Sequence, residues 1–394
     1  MKTIYFDNNA TTAVAPEVLE EMLPYLREFY GNPSSMHTFG GQLHRKIEEA
    51  RGKVAQLIGA EPEEVVFTSC GTESDNTAIM SAVESFPQKR HIVTTRVEHP
   101  AVLNFCKHLG RKGFRVSFLP VNSSGQLNID DLSKAIDDDT VMVSVMYANN
   151  EIGNIYPVRE IAEILKERRI LFHTDAVQAV GKIPIDLKSL PVAMLSLSGH
   201  KLHAPKGVGA LYVRKGTRFF PYIIGGHQEK GRRAGTENLA SIIGLGKACE
   251  LAMKNMAEEV TYLKKLRDRL ESTLIKRCPD VRVNGDTGNR LPNTTNISFE
   301  YVEGEAILLR LNEYGICASS GSACTSGSLE PSHVLRAMGV PFTAIHGSIR
   351  FSLSRYNTEA EIDKAVEIMP GIIDELRRLS PFGRGKLGES IKCS

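Results

Sequence analysis

From Val65 onward the chain alternates short apolar runs with stretches of helical spacing, and no other feature restricts its possible folds so tightly. Strand-like runs fall at Val65-Val66-Phe67-Thr68, 91–95, 115–121 and 140–148, and helices are expected at 101–111 and 157–168. Strands joined through helices lie parallel, because the crossover returns the chain to the same end of the sheet. The pattern therefore predicts an α/β fold, a mostly parallel sheet covered by helices on both faces.

Two further apolar runs end in polar groups, Phe172-His173-Thr174-Asp175-Ala176-Val177-Gln178 and Met194-Leu195-Ser196-Leu197-Ser198-Gly199-His200-Lys201. An open α/β sheet presents its chemistry at the carboxyl ends of its strands. Lys201, flanked by Ser198 and His200 and followed by the turn-rich Ala204-Pro205-Lys206-Gly207, suits the Schiff-base lysine of a pyridoxal-phosphate enzyme. Asp175 then holds the pyridinium nitrogen protonated, and Gln178 reaches the ring hydroxyl. A lysine after a strand is more often a solvated loop residue, and Asp-Ala-x-Gln alone is weak. The two together, in this order, are moderately specific.

Other polar groups fall where the same site needs them. Cys70-Gly71-Thr72-Glu73-Ser74 turns into a helix expected from about Asp75, so Gly71 and Thr72 either hold a phosphate on free backbone N–H groups or form an ordinary cap at Thr72. His99 precedes Pro100 at a helix start. It is either structural or stacked on the pyridine ring as a proton relay. Asn150 ends the strand expected at 140–148 and can reach ring or substrate oxygens.

The glycine-rich stretch 225–238 reads as a flexible surface loop, and a long helix is expected to run to about Arg277. Beyond Pro279 a smaller α+β unit is expected, with strands at 281–284, 294–299, 316–319 and 348–354 and helices at 304–313, 331–338 and 358–380. The division expected is an arm over 1–15, a large cofactor-binding domain over 16–255 and a small domain over 256–394 that carries a cysteine loop. That loop, Ser319-Ser320-Gly321-Ser322-Ala323-Cys324-Thr325-Ser326-Gly327-Ser328, is almost entirely small and polar. An exposed cytosolic thiol is an oxidation liability, which favours a reactive role for Cys324.

With 394 residues, 42% of them hydrophobic, the chain can build one large core and one small. A net charge of +2 without a Lys/Arg block speaks against nucleic acid or an anionic membrane as partner. No run approaches the ~18 apolar residues of a spanning helix and the N-terminus lacks a signal-peptide core, so a cytoplasmic protein is expected. Seven scattered cysteines without a Cys-x-x-Cys pair match neither a disulfide framework nor a structural zinc site.

Taken together, these stretches resemble the cysteine desulfurases, pyridoxal-phosphate enzymes of the class V aminotransferase type that take sulfur from cysteine. The match rests on Asp7-Asn8-Asn9-Ala10-Thr11-Thr12, Gly31-Asn32-Pro33-Ser34-Ser35, Cys70-Gly71-Thr72-Glu73-Ser74, Glu98-His99-Pro100, Ala148-Asn149-Asn150-Glu151 and His173-Thr174-Asp175-Ala176-Val177-Gln178. Ser198-Gly199-His200-Lys201, Arg232-Arg233-Ala234-Gly235-Thr236, the cysteine loop and Arg350-Phe351-Ser352-Leu353-Ser354-Arg355 complete it. Phrases such as Ala323-Cys324-Thr325-Ser326-Gly327 look most like the nitrogen-fixation branch.

The resemblance implies a fold type I architecture and roles for matching positions. Lys201 would carry the Schiff base, Asp175 and Gln178 would hold the ring and His99 would stack on it. Gly71, Thr72, Ser198 and His200 would hold the phosphate, and Thr236 would reach the phosphate of the partner subunit in a homodimer. Arg350 would clamp the substrate carboxylate, assisted by Asn150 and Asn32. Cys324 would take sulfur from L-cysteine as a persulfide, leaving L-alanine, and pass it to an iron–sulfur scaffold or other acceptor protein. The one metal contact implied is a transient iron–sulfur contact through that persulfide. Two rivals remain: another pyridoxal-phosphate aminotransferase or β-lyase, and a non-catalytic metal-binding scaffold using Cys317 and Cys324.

Overall fold

The computed structural model describes residues 3–320 and 331–380. In chain order it contains β1 (Ile4–Tyr5), α1 (Pro16–Arg27), α2 (Thr38–Gly41), α3 (His44–Ile58), β2 (Val65–Thr68), α4 (Gly71–Ser85), β3 (His91–Thr95), α5 (Pro100–Arg111), β4 (Arg115–Leu119), α6 (Ile129–Ala135), β5 (Thr140–Ser144), α7 (Val158–Glu167), β6 (Leu171–Asp175), β7 (Met194–Ser198) and β8 (Gly209–Val213). There follow α8 (Leu239–Arg277), β9 (Val281–Asn284), β10 (Thr294–Phe299), α9 (Gly304–Glu313), β11 (Ile316–Cys317), α10 (His333–Ala337), α11 (Phe342–Ile345), β12 (Ser348–Ser352) and α12 (Glu359–Leu379).

Seven strands form the main sheet in the order β2-β8-β7-β6-β5-β3-β4. All pair in parallel except β8, which runs antiparallel to both neighbours. The reason is local. Only residues 199–208 separate β7 from β8, fewer than a parallel crossover of a dozen or more residues requires.

Strands β2, β3, β5 and β7 are buried along their whole length, with alternate residues entering different cores. Val65 and Phe67 of β2 face the side packed by α1, α3, α7 and the start of α8, and Val66 faces α4 and α5. That two-sided burial is why these strands read as continuous apolar runs.

A second, three-stranded antiparallel sheet, β12-β10-β9, packs against α9, α12 and the distal half of α8. Helix α8 serves both cores. Leu245, Ala248 and Ala252 enter the large one, whereas Leu263, Leu266, Leu270 and Leu274 enter the small one. The N-terminal arm crosses to the small unit as well: β1 pairs in parallel with β11, and Phe6 is buried beside Phe351. No helix among the described residues is long and apolar enough to cross a membrane.

The glycine-rich stretch differs from the surface loop expected. Glu229 is buried and its carboxylate accepts from both ends of the Arg51 guanidinium, at 2.7 and 2.8 Å, and from the Phe67 N–H at 2.9 Å. Arg233 binds Glu73 at 2.8 Å. Removing one partner of such a buried pair costs about 3–5 kcal/mol, so this segment is pinned to α3, β2 and α4.

Candidate active site

The carboxyl ends of β2, β5, β6 and β7 converge on one cavity of about 300 Å³, at the lower end of small-molecule pockets. Its walls include Gly71, Thr72, His99, Asn150, Asp175, Gln178, Ser198, His200, Lys201 and Arg350. Ten of the residues expected to bind cofactor or substrate thus meet at one place.

Lys201 ends a single 3₁₀ turn that continues β7. The turn can pass beneath β8 only because Gly199 lacks a side chain, since a Cβ there would lie 2.8 Å from Val208 Cγ1. Lys201 Nζ donates to the carbonyls of Asn9 at 2.5 Å and Ala10 at 2.7 Å, so the arm grips the ammonium. Thr12 and His203 fasten the same two segments: the His203 N–H donates to Thr12 Oγ1 at 2.9 Å, and the Ala15 N–H to the His203 carbonyl at 3.0 Å.

Asp175, at the end of β6, accepts from the Val177 N–H at 2.9 Å. Burial pushes its pKa up to about 6, against the pull of the Val177 N–H and the charge of Lys201. Asp75 from α4 is also buried, and its carboxyl is held well above the usual range by burial and by Asp175. Single ligand atoms of Asp75, His99 and Asp175 lie within 4.8 Å of one another. Two such close carboxyls in a dry site favour one shared proton.

His99 caps α5, accepting from the Ala101 N–H through Nδ1 at 3.2 Å. Burial, then the charges of Lys201 and His333, lower its pKa to about 4, so the ring is neutral near pH 7. His200 is likewise lowered to about 4, first by burial and then by Lys201, while its Nδ1 faces Thr11 Oγ1 at 3.1 Å.

Helix α4 begins at Gly71, four residues before the start expected, with Cys70 as a cap whose side chain makes no capping hydrogen bond. The backbone N–H groups of its first turn therefore open into the cavity. A Cβ on Gly71 would sit 2.8 Å from Val177 Cγ2, which explains the glycine. Ser198 Oγ is buried without a hydrogen-bond partner among the described residues. These are the donors a phosphate needs.

Arg350, from β12, donates through Nη2 to Asp7 Oδ1 at 2.6 Å and through Nη1 to the Asn150 carbonyl at 3.0 Å. Its Nε is buried and has no acceptor among the described residues.

The sequence model of the aminotransferase class-V family matches residues 4–365. The chain belongs to the aminotransferase class-V family. It is 61% identical to a cysteine desulfurase of Nostoc sp., over 98% of this chain and 97% of the relative. It is 57% identical to cysteine desulfurase NifS of Azotobacter vinelandii, over 98% and 96%. Among solved structures a NifS-like protein superposes with a TM-score of 0.90 at 43% identity, covering 95% of this chain and all of that one. DndA from Streptomyces lividans gives 0.76 at 38% identity, over 88% and 98%. Like the rest of this class-V branch, the chain is a pyridoxal-phosphate enzyme. The buried carboxyl pair, the open α4 terminus and the unpartnered Ser198 hydroxyl all fit that cofactor.

Three expected positions stand apart. Asn32 is exposed, with Oδ1 accepting from the Ser34 N–H at 2.9 Å, and Thr236 is exposed; neither lines the cavity. Cys324 lies outside the described residues. Conversely, the sequence reading gave no role to Asp7, Asn9, Asp75 or Lys182, all of which hold site residues or line the cavity. The one available signal was the amide-rich Asn8-Asn9 in the arm.

Glu98, next to His99, offers a test of how dry this region is. Its Oε1 accepts from Thr95 Oγ1 at 2.8 Å and the Met146 N–H at 3.1 Å, while burial pushes its pKa up to about 8. A raised folded pKa contributes stability that is fully present below the unfolded value of 4.5 and is lost as pH rises through about 8. Glu98→Gln keeps the shape of the neutral acid. Its melting temperature relative to wild type is therefore expected to be higher at pH 9 than at pH 5; a difference that does not change with pH refutes a neutral, buried Glu98.

Proposed function

We propose that this protein is a cysteine desulfurase that converts L-cysteine to L-alanine and a persulfide on Cys324. The observation that carries the reading is the meeting of Arg350 with Lys201, Asp175 and His99 on the wall of one cavity. A guanidinium there suits an amino-acid carboxylate. The relatives named cysteine desulfurase, at 57–61% identity over nearly the whole chain, supply the substrate.

Pyridoxal phosphate, when bound, supplies an electron sink for negative charge at the substrate Cα. Asp175 would hold the ring nitrogen, Gln178 the ring oxygen, and Gly71, Thr72, Ser198 and His200 the phosphate. Neutral His99 would lie against the ring. Lys201 would anchor the cofactor and, once its amine is free, take the Cα proton as a general base. Arg350 and Asn150 orient the carboxylate, and Asn32 assists from the loop before α2. The Cys324 thiolate attacks the substrate sulfur: an S–S bond forms, the Cβ–S bond breaks with its electron pair left on carbon, a proton completes the methyl group, and Lys201 returns a proton to Cα to give alanine. The persulfide passes to an iron–sulfur scaffold or other acceptor protein, with any iron contact confined to that transfer. The NifS relative supports a place in nitrogen fixation.

The reading includes a homodimer, a large cofactor-binding domain over 16–255 and a small domain over 256–394. Exposed Leu26, Tyr30, Met36 and Ile224 give a partner subunit apolar surface to cover. Thr236, exposed in one chain, then has a phosphate to reach in the other. Sedimentation is expected to return twice the mass of one chain, and a fully active monomer would contradict the shared site. Product analysis tests the reaction itself. Alanine and sulfide in equal amounts, with a thiol reductant present, support it. Pyruvate points to a β-lyase, keto-acid-dependent turnover to an aminotransferase, and protein-bound iron without a visible cofactor band to a scaffold.

A further inference from the structure

Lys182 lies four residues beyond Gln178 and donates to Gln178 Oε1 at 2.7 Å. The charged and titratable groups that face it are Lys201, His200 and His203 from the segment after β7, and Arg350 from β12. No carboxylate pairs with it among the described residues. Burial and the like charges of Lys201 and Arg350 pull its pKa down to about 7. A half-buried cation held by an amide rather than a carboxylate contributes little stability, so its position calls for another explanation.

The amide supplies one. Gln178 is only 5% exposed, and its Nε2 donates at 2.9 Å to the Asn9 carbonyl that also accepts from Lys201. A carboxamide has an acceptor end and a donor end, and a half-turn exchanges them. An ammonium has no acceptor capacity, so it tolerates only the orientation in which Oε1 faces it. Nε2, which has a second N–H, is then held on the opposite side of the amide from Lys182.

We propose that Lys182 is a positioning residue that locks the Gln178 amide so that the cavity meets an N–H donor and never a carbonyl. The inference rests on the reading of Gln178 as the partner of the cofactor's ring hydroxyl oxygen. A donor there stabilises that oxygen as an anion and keeps it from drawing a proton onto the nitrogen contributed by Lys201. The positive charge of Lys182 acts in the same direction. Removing Lys182 therefore raises the pH at which that nitrogen loses its proton.

The test is a pH titration of the visible absorbance of substrate-free holoenzyme, for wild type, Lys182→Met, Lys182→Arg, Gln178→Ala and the double variant Lys182→Met/Gln178→Ala. Methionine keeps the length of lysine without a donor. It is expected to raise the midpoint by about one pH unit, whereas arginine leaves it near wild type. In the Gln178→Ala background Lys182→Met is expected to add nothing further. An unmoved midpoint in Lys182→Met, or the same shift with and without Gln178, overturns the proposal. Should Lys182→Met fail to fold, Gln178→Glu carries the test, because it keeps Lys182 paired but removes the donor; a midpoint that does not rise overturns the inference. A wild type without a visible band refutes the cofactor reading instead, so the two failures are distinguishable.

Discussion

Replacing Lys201 with alanine is expected to leave a folded protein without the visible band of lysine-bound cofactor and with turnover reduced by at least about 10⁴-fold. Two functions are lost together, the covalent anchor and the base for the Cα proton. The fold survives because Lys201 contributes little to packing: its ammonium binds two arm carbonyls, and the arm is held independently through the Thr12, Ala15 and His203 hydrogen bonds. The phosphate donors of α4 and Ser198 are untouched, so the variant should still bind the cofactor non-covalently. Absorbance spectra before and after dialysis, together with alanine release, read both effects. A yellow variant with appreciable turnover would remove Lys201 from the mechanism and with it the assignment of this cavity.

The large sheet was legible because burial on both faces leaves an unbroken apolar signature. The expected strands at 91–95, 281–284 and 294–299 coincide with β3, β9 and β10. Where the expectation overran, the apolar run continues past the last ladder pair. The run at 140–148 stops as a strand at Ser144, yet Val145 and Tyr147 still donate to the His173 and Asp175 carbonyls as the chain bends toward the site. Helix α6 was missed because Leu132 is its one buried side chain, too little for a periodic signal. The reversed β8 follows from loop length, which was visible, but its place between β2 and β7 is a tertiary outcome.

The site divides in the same way. Side chains whose chemistry is unusual after a strand, such as Lys201, Asp175 and His99, advertise themselves. The carbonyls of Asn9 and Ala10 do not, since every residue carries one. Asp75 reads as an ordinary first-turn helix charge and Lys182 as a solvated loop charge; each acquires meaning only when a residue about a hundred positions away, or a different strand, comes to face it. Glu229 is the same case, its partner Arg51 lying 178 positions earlier.

Replacing Cys324 with alanine is expected to separate binding from sulfur transfer, and it has the sharpest outcome because the two halves of the reaction use different groups. The proposed cofactor and substrate contacts that line the cavity sit at the ends of β5, β6 and β7, at the start of α4, before α5 and on β12, and none is in the stretch that carries Cys324. The Cys324→Ala variant should therefore keep the visible band, and L-cysteine should still perturb it. Persulfide formation should fall by at least about 10³-fold, because the remaining route, unaided loss of sulfide, lacks a nucleophile at the substrate sulfur. Serine at the same position is expected to behave alike, since a hydroxyl at neutral pH is not a comparable nucleophile. The three buried cysteines cannot substitute. Burial pushes the thiols of Cys106 and Cys249 up to about 12 and Cys278 to about 11, so they carry almost no thiolate at pH 7. Cys70 is the exception in place, lining the cavity beside Gly71, and Cys70→Ala is the control that assigns any residual persulfide. Alkylation of wild type followed by mass mapping gives the decisive measurement: full modification of Cys324 with unchanged alanine and sulfide production would mean that the thiol takes no part, and the reaction would have to be rewritten as a β-elimination.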